Sequence, residues 1–343
     1  MNIQTPPTDL LPKDYASDQE VRWCPGCGDY AILKSVQKTL ADIKASRADT
    51  VFISGIGCAA RFPYYLSTYG FHTIHGRAPA VATGVKLANP ALNVWVVGGD
   101  GDGLSIGGNH TMHAIRRNVN VNYLLFNNEI YGLTKGQYSP TSKLGTRSPS
   151  TPLGSVDNPV SALSFAMGAS ARFIARGIDR DQKRLPGLFA RANAHTGCSF
   201  VEVIQNCIVY NDGVFENFTE KDVAADNQVW CEHGQPLRFG KENEKGLRFD
   251  SKSFSLEVVT IGEDGVTEDD IQIHDETNRT LGVMLAAMDP PAFPIAVGVI
   301  YCDPRPSYEG AVMAQNEQAK GRLEGKKPSI DALLRAGHTW TVN

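Results

Sequence analysis

The chain has 343 residues, 42% of them hydrophobic, with a formal net charge of -4 at neutral pH. It can bury an ample core, and its interspersed charges form no basic stripe, which argues against nucleic acid as the main partner. No apolar run approaches the ~20 residues of a membrane span, and the first twenty residues lack a signal-like pattern, so the chain reads as cytoplasmic with no membrane role.

Residues 1–22 are polar and proline-containing and read as an extended arm. At Trp23 the character changes to WCPGCGDY, followed by a helix whose apolar positions Ile32, Leu33, Val36, Leu40 and Ile43 make one buried stripe. Thr50 to Ser54 is a short strand running into the turn Gly55-Ile56-Gly57-Cys58. HTIHGRAPAVATGVKLANP supplies a loop at His75-Gly76-Arg77 and a helix ending near Asn89-Pro90.

Next comes a buried strand, Leu92 to Val97, that breaks at Gly98-Gly99 and delivers Asp100-Gly101-Asp102. A helix from about Ser105 to Arg117 leads to a second apolar strand, Val121 to Phe126, which ends at Asn127-Asn128. Ligands in open parallel sheets sit at the carboxyl ends of strands, so Asp100 and Asn128 can share one hard cation, a phosphate completing its shell. Glycines let backbone amides approach phosphate oxygens, and a following helix N-terminus adds positive potential.

After Gln137 the segment YSPTSKLGTRSPSTPLGSVDNP is long for a loop, which predicts a functional or partner-covered loop. A helix at about 159–169, a strand at Arg172 to Ala175, a helix at about 180–195 containing Pro186, and a strand at Ser199 to Gln205 close this part. The alternation over residues 30–205 predicts an α/β fold with a doubly wound, mainly parallel sheet. Beyond 216 it stops. Short strands at Leu237 to Phe239, Phe254 to Val259 and Ile271 to His274, a helix near 277–288, a strand at Ile295 to Tyr301 and an amphipathic helical tail over 307–337 are expected. The implied organisation is an arm (1–22), a central domain (23–215) and a C-terminal α+β extension making subunit contacts (216–343).

Of seven cysteines, Cys24 and Cys27 form CPGC, Cys58 follows the first strand and Cys207 sits in QNC after the last α/β strand. All four fall at turns near one sheet edge. In a reducing compartment such a set suits metal or redox chemistry, structural zinc included, while buried thiols also serve as small hydrophobes. Cys198, Cys231 and Cys302 lack such company and read as structural. Arg61 and Lys135 are cations near the expected pocket, with surface charge as the alternative reading.

GDG followed about 28 residues on by NN resembles the signature of thiamine diphosphate enzymes. That resemblance implies that Asp100, Asn128 and the Ile130 carbonyl hold Mg²⁺ against the cofactor's diphosphate. With the four cysteines, residues 20–215 resemble the β subunit of 2-oxoacid:ferredoxin oxidoreductases, through WCPGCG, GIGC, HTIHGRA, GDGD, NNEIYGLTKGQ and QNC. In that family four cysteines bind one [4Fe-4S] cluster, here implied to be Cys24, Cys27, Cys58 and Cys207.

The resemblance further places Ile56, Gly57, Cys58 and His75, Gly99 to Asp102 with Gly101, and Asn128, Gly132, Leu133 and Thr134 around the cofactor. It gives Arg61, His75 and Lys135 catalytic duties, the two cations suiting a distal carboxylate. The activating Glu of such enzymes lies on a pyrimidine-binding domain that this chain lacks, so an α subunit is implied, in an αβ or (αβ)₂ assembly. Ferredoxin is the implied electron acceptor and coenzyme A the acyl acceptor. Charge and the tail FENFTEKDVAADNQVWCEHGQPLRFGK favour 2-oxoglutarate as substrate, with pyruvate and branched 2-oxoacids as alternatives. A non-redox thiamine diphosphate enzyme and a zinc-stabilised interaction module are the rival readings.

Overall fold

The computed structural model describes residues 10–322 and 329–342. In chain order its elements are α1 (Asp29–Asp42), β1 (Thr50–Ser54), β2 (Tyr69–His72), α2 (Ala78–Ala88), β3 (Asn93–Gly99), α3 (Gly108–Arg117), β4 (Val121–Asn127), β5 (Ile130–Tyr131), β6 (Gln137–Tyr138), α4 (Ala162–Gly168), β7 (Phe173–Ile178), α5 (Leu185–Ala194) and β8 (Cys198–Ile204). There follow α6 (Glu216–Thr219), α7 (Ala224–Asn227), β9 (Gln228–Cys231), β10 (Arg238–Phe239), β11 (Lys245–Asp250), β12 (Ser255–Thr260), α8 (Arg279–Ala286), β13 (Ile295–Cys302), α9 (Tyr308–Arg322) and α10 (Ile330–Leu334).

Eight strands form one sheet in the order β2-β1-β3-β4-β8-β7-β13-β9. The first six run parallel, and β13 joins β7 antiparallel, with β9 parallel to β13. The central strands are mostly apolar because both faces are covered. Val94, Val96, Tyr123 and Leu125 pack with α2, α3, α4 and α8 through Ala82, Ile115, Leu163 and Leu285. Trp95, Val97, Leu124 and Phe126 face the other way, onto α1 and α5 through Ile32, Val36, Leu188 and Phe189. Phe52 stacks on Trp95 with ring centroids 5.6 Å apart.

Several boundaries differ from the sequence expectation. The helix expected from Ser105 starts at Gly108, after a π turn at Asp102–Ile106 in which Ser105 leaves helical geometry. Pro186 sits in the first turn of α5, where its missing N–H breaks no helical bond, so the helix starts there and continues. Ile271 to His274 is not a strand; Ile273 makes a single bridge to Pro236. Strands β2, β5, β6, β9 and β11 were not expected. The segment beyond 216 is not structurally separate, since β9 and β13 complete the main sheet while β10, β11 and β12 form a small sheet of their own.

Of the N-terminal arm, residues 1–9 lie outside the described residues. The remainder packs on the body: Tyr15 is fully buried, its hydroxyl donating to Ala45 O at 2.6 Å. The helical tail appears as α9 and α10, and residues 323–328 between them lie outside the described residues. No helix among the described residues is long and apolar enough to cross a membrane.

Candidate active site

Because β1, β3, β4 and β8 are parallel neighbours, the turns after them open at one sheet edge: Gly55 to Cys58, Asp100 to Asp102, Asn127 to Ile130, and Gln205 to Cys207. A cavity of about 480 Å³ lies there, within the usual range for a small-molecule site. Its walls include all twelve residues expected around the cofactor: Ile56, Gly57, Cys58, His75, Gly99, Asp100, Gly101, Asp102, Asn128, Gly132, Leu133 and Thr134. Ile130 lines it too, as do Asp29, Tyr131, Gln137 and Gln205, which the sequence reading missed. Two glycines keep it open. A Cβ at Gly57, whose φ is +129°, would meet no atom within 4 Å, and one at Gly99 only Phe126 O at 3.9 Å.

Asp100 is 1% exposed at the end of β3. Burial pushes its carboxyl up, while the Ser139 and Thr141 hydroxyls and backbone amides pull it down. Thr141 Oγ1 lies 2.6 Å from Asp100 Oδ2 and 2.9 Å from Asn127 Oδ1. Asn127 Nδ2 donates to Glu202 Oε1 at 2.7 Å, and Glu202 Oε2 accepts from Arg176 Nε at 2.6 Å. A buried polar line therefore runs across the sheet from β7 to the tip of β3. The start of the long loop after Gln137 serves this line, with Ser142 Oγ donating to Glu129 O.

Asp102, which the resemblance places around the cofactor, is a hub. Its Oδ1 accepts from Ile56 N at 3.0 Å and Gly76 N at 2.8 Å, and lies 2.8 Å from His75 Nδ1. One carboxylate thus ties three glycine-bearing turns together and lies beside the imidazole's Nδ1 edge, leaving Nε2 as the other functional nitrogen.

Cys24, Cys27, Cys58 and Cys207 all line a second cavity of about 210 Å³. It shares Cys58, Asn128, Gly132, Leu133 and Gln205 with the first, so the two are separated by a single wall. The Trp23 indole donates to Cys58 O at 2.7 Å, clamping the CPGC segment onto the turn after β1. A Cβ on Gly132 would lie 3.5 Å from Cys207 Sγ and 3.6 Å from Cys58 Sγ, ordinary contact distances that put the turn after β5 directly against the sulfurs. Burial pushes the Cys58 thiol up to about 11 and raises Cys27 and Cys207 as well. Against this, the backbone amides of Tyr210, Val209 and Asn211 favour a Cys207 thiolate, and Arg61 favours one at Cys58. Asp29 is fully buried nearby, and burial pushes its carboxyl up to about 7.

Arg61 and Lys135 line the cysteine cavity and not the larger one. Arg61 commits Nη1 to Arg22 O at 3.0 Å. His75, the third residue expected to be catalytic, lines the larger cavity. Cys198, Cys231 and Cys302 are buried in the core, away from both.

Residues 55–203 match the family described as thiamine pyrophosphate enzyme, C-terminal TPP binding domain. The chain is 45% identical to the 2-oxoglutarate oxidoreductase subunit KorB of Mycobacterium tuberculosis, over all of this chain and 92% of that protein. It is 44% identical to 2-oxoacid:ferredoxin oxidoreductase 1, subunit beta, of Aeropyrum pernix, over 55% of this chain and 60% of the relative. Among solved structures, the 2-oxoglutarate:ferredoxin oxidoreductase from Magnetococcus marinus with 2-oxoglutarate, coenzyme A and succinyl-CoA bound matches with a TM-score of 0.73. That match has 32% identity and covers 93% of this chain and 97% of that one. Fold and site are thus of the thiamine diphosphate-binding class. Within that class the chain belongs to the β subunits of the 2-oxoacid:ferredoxin oxidoreductases.

Proposed function

We propose that the chain is the β subunit of a 2-oxoglutarate:ferredoxin oxidoreductase. With an α subunit it converts 2-oxoglutarate and coenzyme A to succinyl-CoA and CO₂, reversibly, passing two electrons to ferredoxin. The observation that carries this reading is the pair of adjoining cavities: one has the oxygen ligands and open glycines a diphosphate needs, and four thiols line the other. The names of the relatives favour 2-oxoglutarate over pyruvate or branched 2-oxoacids.

Asp100, Asn128 and the Ile130 carbonyl would hold Mg²⁺, and with it the diphosphate. Thiamine diphosphate, when bound, supplies the nucleophilic carbon and electron sink for decarboxylation. Asp102 keeps the His75 ring oriented so that Nε2 can hold or deliver a proton in the cavity. Cys24, Cys27, Cys58 and Cys207 would each ligate one iron of a [4Fe-4S] cluster, which takes electrons singly. Thiols surrounding a volume suit a cube of four irons better than a single zinc. The carboxylate that activates the aminopyrimidine would come from the α subunit.

The test is anaerobic purification of the chain with its α subunit, analysis for iron, zinc and acid-labile sulfide, and assay of ferredoxin reduction. About four iron and four sulfide are expected for this cluster, with reduction that requires 2-oxoglutarate and coenzyme A. Zinc without iron would establish an interaction module, and decarboxylation without ferredoxin reduction a non-redox enzyme.

We propose that Arg61, which lines the cysteine cavity beside the shared wall, pairs with the distal carboxylate of the substrate. A carboxylate left desolvated and unpaired costs about 2 to 5 kcal/mol. Arg61→Leu is therefore expected to lower kcat/KM for 2-oxoglutarate by roughly 30-fold or more, with a smaller loss on pyruvate or 2-oxobutyrate. Lys135 adds to the same field, so the double variant belongs beside both singles. Equal losses on charged and neutral substrates would place Arg61 in the service of the cysteines.

A further inference from the structure

We infer that Gln205 is a positioning residue that joins the two cavities: its amide helps hold the Asn128 oxygen in place for a cation and donates an N–H to the Cys27 sulfur. The inference rests on the cation and cluster assignments proposed above.

Gln205 follows β8 directly, is 1% exposed and lines both cavities. Its backbone N–H donates to Asn127 O at 2.9 Å, which fixes where the side chain starts. Nε2 then lies 2.6 Å from Asn206 O. A carbonyl oxygen only accepts, so the amide nitrogen, not its oxygen, must face that way. The second N–H of the same nitrogen points to Cys27 Sγ, with Nε2 3.3 Å from the sulfur.

The consequence for Asn128 follows by elimination. With Nε2 committed, Oε1 faces the opposite side, where it accepts from Asn128 Nδ2 at 2.8 Å. Asn128 Oδ1 must then turn away from Gln205, and there it accepts from Ile130 N at 3.2 Å. An amide oxygen has a second lone pair, and a hard cation takes oxygen, never the NH₂ group. Asn206 O thus sets Gln205, and Gln205 sets Asn128. The Ile130 N–H favours the same orientation at the longer distance of 3.2 Å, so Gln205 is the shorter of the two contacts that hold the Asn128 oxygen in place.

The other end of Gln205 acts on charge. Hydrogen bonds to cluster sulfurs help set the reduction potential, because an N–H stabilises the more negative, reduced form. One glutamine therefore places the oxygen ligand on one side of the wall and tunes the electron acceptor on the other.

Two variants separate these duties in the αβ complex, with Mn²⁺ in place of Mg²⁺ read by electron paramagnetic resonance and the cluster midpoint read by redox titration. Gln205→Glu keeps an acceptor for Asn128 but loses both N–H donors. Its Mn²⁺ affinity in the presence of thiamine diphosphate should stay within about threefold of wild type. Its midpoint should fall by about 59 mV or more, a tenfold change in the one-electron equilibrium. Gln205→Leu loses both partners, so its Mn²⁺ affinity should fall by about tenfold or more and its midpoint should fall too.

Wild-type Mn²⁺ affinity and midpoint in Gln205→Leu would overturn the inference, as would equal Mn²⁺ losses in both variants with an unmoved midpoint. If Gln205→Leu does not assemble, an unmoved midpoint in Gln205→Glu overturns it. An iron-free wild-type complex, or full Mn²⁺ affinity in Asp100→Ala, would instead overturn the site assignments on which it rests.

Discussion

Asp100→Ala is expected to abolish tight thiamine diphosphate binding by the αβ complex while leaving the unliganded protein folded. The two halves of that expectation have one cause. Asp100 is buried, and without a cation its carboxylate is compensated only by the hydroxyls of Ser139 and Thr141 and nearby amides, with burial winning. Removing it from the unliganded protein relieves that penalty, so the melting temperature should hold or rise. Under the proposed assignment the same carboxylate would become a charged ligand of Mg²⁺, an ion that tolerates little distortion of its shell. Truncating one partner of a buried charge pair costs about 3 to 5 kcal/mol, or roughly two to four decades in Kd. Calorimetric titration at fixed Mg²⁺ reads the second half and thermal unfolding the first. Unchanged cofactor affinity would remove Asp100 from the metal site.

The strands that carry this site were legible because they are buried on both faces. Val51 to Ile53, Val94 to Val97 and Tyr123 to Phe126 are apolar without interruption, and each reaches a glycine or asparagine within two residues, where the chain turns at the sheet edge. β2 escaped notice for the opposite reason. Tyr-Gly-Phe-His is exposed at all four positions, so no burial pattern is written into it. In β11 the sequence KGLRFD mixes charge with apolar residues on a small peripheral sheet. That β13 and β9 finish the main sheet was also hidden, since an apolar run announces a strand without naming its neighbour.

Within the site, motif residues at strand ends were readable and the residues that orient them were not. Gln205 and Asp29 adjoin cysteine motifs, but a lone polar residue carries no period, and only its burial gives it meaning. The same holds for Glu202 and Arg176, charges in the middle of strands, which propensity alone would send to the surface. A buried ion pair is no assurance of stability, because desolvation offsets much of the attraction. Here Glu202 holds Asn127, and Asn127 Oδ1 accepts from Glu129 N at 3.2 Å where the chain enters a left-handed turn with φ +54°. That bend carries Asn128 and Ile130 to the cavity. The Ser and Thr residues of the long loop, read from sequence only as functional or partner-covered, supply hydroxyls to the same turn.

Cys207→Ser is expected to lose the cluster, seen as loss of iron, of broad visible absorbance and of ferredoxin reduction, with thiamine diphosphate binding retained. Iron–sulfur clusters need thiolate ligands, and a serine hydroxyl is both harder and far less acidic. Burial raises the Cys207 thiol on balance, and three successive backbone amides, at Val209, Tyr210 and Asn211, oppose it by favouring the thiolate that a cluster requires. Cys24→Ser and Cys27→Ser should behave alike. Cys58→Ser is less clean, because Cys58 also lines the cofactor cavity and should lower cofactor affinity as well. No substitute ligand is at hand: Cys198, Cys231 and Cys302 are 0%, 2% and 6% exposed in the core. Their own serine variants should cost stability, by burying a hydroxyl, and keep full iron. A Cys207→Ser complex that retains four iron per αβ unit would show that the fourth ligand lies elsewhere, and the cavity of four thiols would lose its assigned role.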